Sequence, residues 1–173
     1  MAELAPEVVA RLIERGLTIA VAESLTGGAL IASLVDVPGA SATVVGGVVA
    51  YNTAIKQSVL GVSASLLAAN GAVDPEVARQ MASGVRAALA VDGIPADIGI
   101  ATTGVAGPDL QDGKSVGTVY LGLAIADRVW SHALSLQGSR SEIRTATVQH
   151  AMATLLAALN EYREYGEFLS RYR

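Results

Sequence analysis

The sequence predicts an α/β fold, a three-layer α/β/α sandwich around a mixed β-sheet. Three observations lead there. Short apolar runs alternate with segments of helical period through the first part of the chain, as strands with intervening helices do. Two later apolar runs are separated only by Asp127-Arg128, which reads as an antiparallel hairpin and makes the sheet mixed. Neither a repeat nor a linker-like stretch interrupts the 173 residues, which suit one domain spanning 1–173. A chain of that length buries about two-thirds of its unfolded surface.

Taken in order, Pro6 to Arg15 has apolar residues at helical spacing and stops at Gly16. Leu17 to Ala22 is a short apolar strand. A helix begins at Gly27 or Gly28 and runs to Val35, ended by the turn Asp36-Val37-Pro38-Gly39. Val44 to Tyr51 reads as a buried strand, and Gly46-Gly47 within it as a place where another backbone or a ligand comes close. Asn52 or Thr53 caps a helix over Ala54 to Leu60, and Val62-Ser63 opens another through Ala69. Asp74-Pro75-Glu76 is a helix start, an N-cap followed by proline and an acid in the first turn; that helix runs to about Val91. Asp97 to Thr102 is a strand ending in a glycine-rich turn, Thr103 to Pro108, and Asp109 to Ser115 is a polar, mobile loop. Strands over Gly117 to Ala126 and Val129 to Leu136 form the hairpin. A last helix starts at Gly138-Ser139-Arg140-Ser141 and runs to about Tyr165, with a frayed or packed tail over Glu164 to Arg173.

Composition narrows the function. The net charge is −4 and no basic stretch exists, which argues against nucleic acid as a partner. With no cysteine there is no disulfide frame, thiolate nucleophile or cysteine metal site. His132 and His150 have no metal-ligand spacing and fall in a strand and a helix, so no metal or other cofactor is expected. The first residues lack a signal-peptide pattern and no apolar run reaches the ~18 residues of a membrane span, so a cytoplasmic protein is expected. Charged residues make up only 16%, which suggests that part of the surface is covered in a homo-oligomer, a dimer or larger.

Three glycine-bearing strand ends could share one edge of the sheet, where α/β folds bind ligands: Ser24 to Gly28, Gly46 to Lys56, and Thr103 to Pro108. In the first, an apolar strand feeds a helix through Ser24, Thr26, Gly27 and Gly28, where bare N–H groups can hold an anion or an oxyanion. The alternative is a plain β-to-α turn capped by Ser24 or Thr26. Ser24 has no evident histidine base, but a neutral lysine can serve, and Lys56 has the apolar neighbours Ala54, Ile55, Val59 and Leu60 to desolvate it. Tyr51 and Lys56 flank a helix start, so the tyrosine hydroxyl could orient or relay the proton; otherwise the ring only covers the lysine stem. Thr103 and Gly104 to Gly107 could face a phosphate or carbonyl, or could simply permit tight packing. Arg140 and Arg144 stand at a helix start where the dipole disfavours cations, which points to an anionic ligand or to pairing with an acid such as Glu142.

Seven stretches occur in an order that resembles a known family. They are Ala22-Glu23-Ser24-Leu25-Thr26-Gly27-Gly28; Asp36-Val37-Pro38-Gly39-Ala40-Ser41; Gly46-Gly47-Val48-Val49-Ala50-Tyr51-Asn52 with Lys56; Leu60-Gly61-Val62; Gly71-Ala72-Val73; Thr103-Gly104-Val105-Ala106-Gly107-Pro108; and Val116-Gly117-Thr118-Val119-Tyr120. Together they resemble the C-terminal domain of the competence/damage-inducible protein CinA, whose stand-alone relatives are nicotinamide-nucleotide amidases. The resemblance covers about Val8 to Ala158.

The resemblance implies the fold of that domain and a Ser-Lys amidase that hydrolyses the carboxamide of nicotinamide mononucleotide, giving nicotinate mononucleotide and ammonia. By resemblance Ser24 is the nucleophile, Lys56 its base and Tyr51 the tyrosine beside them. Thr26, Gly27, Gly28, Gly46, Thr103, Gly104 and Gly107 would line the pocket of this small-molecule nucleotide, and Arg140, in a stretch like the family's Gly-Asp-Arg, would take its phosphate. Departures from the family pattern are Leu25 for a common cysteine, Ser139 for the usual Asp, and Lys114-Ser115 in a loop that also lacks the usual Gly-Gly. The molybdopterin-binding-like half of full-length CinA is expected to be absent. A nucleotide-binding module without catalysis and a Ser-Lys amidase for another small amide are the alternative readings.

Overall fold

A computed structural model describes residues 4–170, with side chains through Glu161. Its elements are α1 (Leu4–Arg15), β1 (Ile19–Glu23), α2 (Ala29–Val35), β2 (Val44–Val49), α3 (Thr53–Ser58), α4 (Ala64–Asn70), α5 (Pro75–Ala88), β3 (Ile98–Gly104), β4 (Thr118–Ile125), β5 (Arg128–Ser135) and α6 (Arg140–Ser170). Each lies within a few residues of its expected place. The expected tail at Glu164 to Arg173 enters α6 as far as Ser170; its side chains and residues 171–173 lie outside the described residues.

The sheet order is β2-β1-β3-β4-β5. β2, β1 and β3 are parallel, whereas β3-β4 and β4-β5 are antiparallel, so the sheet is mixed as the late hairpin predicts. α1, α2 and α6 cover one face over a core that includes Leu12, Ile19, Leu30, Ile98, Leu121 and Leu155. α5 covers the other face with Val77, Met81, Ala82 and Val85. Gly99 and Gly122 let α5 approach, because a Cβ at either would fall 1.9 Å from the helix carbonyls of Ala82 and Ala78. The three-layer sandwich is therefore present.

β2 departs from expectation in one respect. It is an edge strand, half-buried to exposed, and not a buried one. Its glycines answer a packing need. A Cβ on Gly47 would meet the Ile31 side chain of α2 at 2.6 Å. The loop read as mobile is tied down: Gln111 and Lys114 bridge each other, and the Asp112 carboxylate accepts from the Ala72 N–H.

Because β1, β2 and β3 run parallel, their carboxyl ends lie at one edge. Ser24 follows β1, Ala50-Tyr51 follow β2, and Gly104 ends β3. The shared edge anticipated from three glycine-bearing strand ends exists.

Candidate active site

Ser24 continues β1 by one rung, its N–H donating to the Thr102 carbonyl at 3.0 Å. On the other side the Ala50 N–H donates to the Glu23 carbonyl at 2.8 Å, which fixes the chain just after β2. Asn52 then caps α3 by accepting from the Ala54 N–H, and the helix points one side chain inward. That side chain is Lys56, 1% exposed. Its Nζ lies 3.0 Å from Ser24 Oγ, 2.6 Å from the Ala50 carbonyl and 3.5 Å from the Tyr51 carbonyl. No carboxylate forms an ion pair with it among the described residues.

A neutral amine has two N–H donors and one lone pair. Two carbonyls and one hydroxyl match that valence, the hydroxyl donating to nitrogen. Desolvation by burial pulls the Lys56 pKa from the 10.5 of an ordinary lysine to about 8. About a tenth of the amine is therefore neutral at pH 7 and about half at pH 8, the form a general base needs. The expected cause differs from the observed one. Ile55 and Val59 face solvent, and Lys56 is dry because it alone turns from α3 into the molecule.

The turn after Ser24 is also built differently from expectation. The buried Glu23 carboxylate accepts from the N–H groups of Gly28, Leu30 and Ile31 at 2.9–3.0 Å, occupying the start of α2. Gly27 donates to the Ser24 carbonyl. Gly27 and Gly28 thus hold positive-φ backbone and offer no donor to a ligand. Thr26 is fully buried, its hydroxyl bonded to that of Thr102. Gly46 sits at the Ala20 level of β2, well back from the strand end, and does not line the cleft. These four residues support the loop and sheet, in correction of their expected place against substrate.

Arg144 is likewise structural. Its guanidinium donates to the carbonyls of Leu25 and Thr26, both at 2.9 Å, and binds α6 to the nucleophile turn. Glu142 pairs with neither arginine. It accepts from the Ser139 N–H and hydroxyl, which hold its carboxyl below the usual range.

The cleft beside Ser24 and Lys56 measures about 150 Å³. Its wall is the glycine-rich turn after β3, with Ala72, Val73 and Gln111 opposite. Thr103 lines it, but its hydroxyl donates to the Ala72 carbonyl at 2.7 Å. Val105 donates to Thr118 on β4, so by strand alternation the Gly104 N–H faces the other side, where β1 has ended. The Leu25 N–H makes no hydrogen bond among the described residues. These are two backbone donors beside Ser24 without a protein partner among the described residues.

Arg140 stands at the rim, donating to the Gly107 carbonyl at 2.7 Å and to the Tyr51 hydroxyl at 2.9 Å. The expected contact between that hydroxyl and Lys56 is not made. Tyr51 gives its carbonyl to Lys56 and its hydroxyl to Arg140, and its side chain, in a residue 59% exposed, walls the cleft. Neither histidine lines the cleft.

Glu23 and the Ala50 carbonyl are the functional groups that sequence reading missed. A carboxylate closing an apolar strand just before a helix start was a readable sign of the first. A backbone acceptor leaves no mark in sequence.

The CinA C-terminal domain family matches residues 1–159. A CinA-like protein of Frankia casuarinae is 50% identical over 84% of this chain, and a putative competence-damage inducible protein of Geobacillus kaustophilus is 49% identical over 86%. The chain spans about a third of the length of these relatives, 32% and 35%. The solved CinA superfamily protein of Klebsiella pneumoniae has a TM-score of 0.87 at 32% identity, covering 92% of this chain and 98% of that one. A competence/damage inducible protein of Agrobacterium tumefaciens has a TM-score of 0.83 at 36% identity, covering 92% and 94%. On sequence and on fold alike, the chain belongs to the CinA C-terminal domain family.

Proposed function

We propose that the chain is a Ser-Lys amidase acting on the carboxamide of nicotinamide mononucleotide. The observation that carries this reading is a lysine amine, 1% exposed, set 3.0 Å from a serine hydroxyl, with two carbonyls on its other valences. Burial with no carboxylate partner among the described residues brings that amine's pKa to about 8, within reach of its neutral form. Neutral Lys56 takes the Ser24 proton while Oγ bonds to the carboxamide carbon. The N–H groups of Leu25 and Gly104 hold the oxyanion. The C–N bond breaks as Lys56 returns its proton to the leaving nitrogen, and ammonia departs. Water, losing a proton to Lys56, then cleaves the acyl ester and restores Ser24.

A cleft of about 150 Å³ is small beside the ~300 Å³ or more of ordinary ligand pockets. It suits a ring and its carboxamide. The phosphate would reach Arg140 at the rim, beside the Tyr51 hydroxyl. The exposed Val35 on one flank of the open β2 edge, and Val91 and Ile94 on the other, support a homo-oligomer, which light scattering tests.

Ammonia release from nicotinamide mononucleotide tests the reaction. Ser24→Ala and Lys56→Met should each lower it by about 10³-fold or more. Because the neutral amine is the active form, kcat/KM should rise about tenfold per pH unit below pH 8 and level off above it. A flat profile between pH 6 and 9, or activity surviving both substitutions, overturns the reading. Tight binding without release of ammonia favours the non-catalytic module, and turnover of other amides with none of the mononucleotide favours a different substrate.

A further inference from the structure

Three charged side chains line the cleft: Lys56, Arg140 and Asp109. The first is the base and the second stands on the phosphate side of the proposed substrate. Asp109 has no role in the chemistry described above. It is the only carboxylate lining the cleft among the described residues. It makes no ion pair and accepts no hydrogen bond from another described residue, whereas Asp112 on the same loop is tied to Ala72. Tyr51 is an equally open feature. Its hydroxyl is held by Arg140, yet the residue stays 59% exposed while lining the cleft.

A carboxylate without a partner and an aromatic face, together at one cleft, are the two groups that attract an organic cation. Resting on the amidase reading, the geometry points to a cation subsite formed by Asp109 and the Tyr51 ring, which selects the positively charged pyridinium form of the substrate over a neutral ring. The cleft then matches a zwitterion: a negative group and a π face for the cationic ring, and Arg140 for the anionic phosphate. Free nicotinamide lacks both charges. Reduced nicotinamide mononucleotide keeps the carboxamide, ribose and phosphate but loses the ring charge together with its aromaticity, so the Asp109 variants are what separate charge from ring shape.

The experiment measures dissociation constants of oxidised and reduced nicotinamide mononucleotide in the Ser24→Ala background, where no turnover occurs, with ammonia release by the wild-type protein alongside. The oxidised form should bind about tenfold tighter. Asp109→Asn should cut that preference to about threefold by weakening the oxidised form alone, and Asp109→Lys should abolish or reverse it. Asp109 lies on an exposed loop, and unchanged Tm values confirm that the variants fold. Equal binding of the two forms, or a preference unchanged in both variants, overturns the cation subsite while wild-type ammonia release leaves the amidase reading standing. Absence of both binding and ammonia release overturns the amidase reading, and the cation subsite with it.

Discussion

After β1 and after β3 the chain makes turns of much the same composition, Ser-Leu-Thr-Gly-Gly and Thr-Gly-Val-Ala-Gly-Pro. The first closes on itself. Glu23 takes the Gly28 N–H and two more at the start of α2, Arg144 takes two of the turn's carbonyls, and what remains toward the cleft is the Ser24 side chain and the Leu25 N–H. The second stays open: its backbone lines the cleft, the Gly104 N–H turns away from β4, and the Gly107 carbonyl accepts from Arg140 at the rim. A glycine-rich turn before a helix is thus no anion site once a neighbouring carboxylate has claimed the helix start. The first turn commits Gly27 and Gly28 to its own fold and leaves only the Leu25 N–H, whereas the second lends its backbone to the cleft wall.

That division can be broken by substitution. The largest effect should come from Glu23→Ala, which strands three N–H groups near the core. A loss of about 3–5 kcal/mol and a Tm fall of about 10 °C are expected in thermal unfolding, with ammonia release lost. A fall under 2 °C would mean that the first turn is not held from within. Arg144→Met keeps the aliphatic stem and frees the carbonyls of Leu25 and Thr26. It should cost about 2 kcal/mol and lower kcat by about tenfold with KM nearly unchanged, because the serine is displaced and the rim is not. The smallest stability effect belongs to the second turn. Arg140→Met should raise KM for the mononucleotide by about tenfold and leave Tm within about 2 °C. A large Tm fall there would erase the contrast between the turns.

Much of the architecture was readable because its signals are local. Asp74-Pro75-Glu76 starts α5 and Asn52 caps α3, and a glycine follows α1 and α4, as propensity and capping dictate. The meeting of Ser24 and Lys56 was expected on the condition that three glycine-bearing strand ends share one edge, a topological regularity that needs no side-chain detail. What sequence could not give was direction. Apolar neighbours do not say which way a lysine turns, and Ile55 and Val59 proved to face outward. Nor does spacing reveal partners: Tyr51 and Lys56 flank one helix start, yet the tyrosine extends to α6. Arg140 and Arg144 share a helix face and have unlike tasks, because the first reaches the rim and the second reaches the turn after β1.

Lys56 is the only buried residue of α3. That helix contributes no hydrophobic side chain of its own to the interior, so within it the hydrocarbon stem of Lys56 is what reaches the body of the protein, beside the buried Ala50 and Leu60 that flank it. Two selective pressures therefore fall on one codon. Drift that removes the amine also unfastens the helix, unless the replacement keeps an unbranched stem of similar length. On the amidase reading, descendants that abandon catalysis should pass through methionine or glutamine at this position more readily than through alanine or aspartate. An inactive branch of the lineage would then be recognisable by a lysine exchanged for something of its own shape.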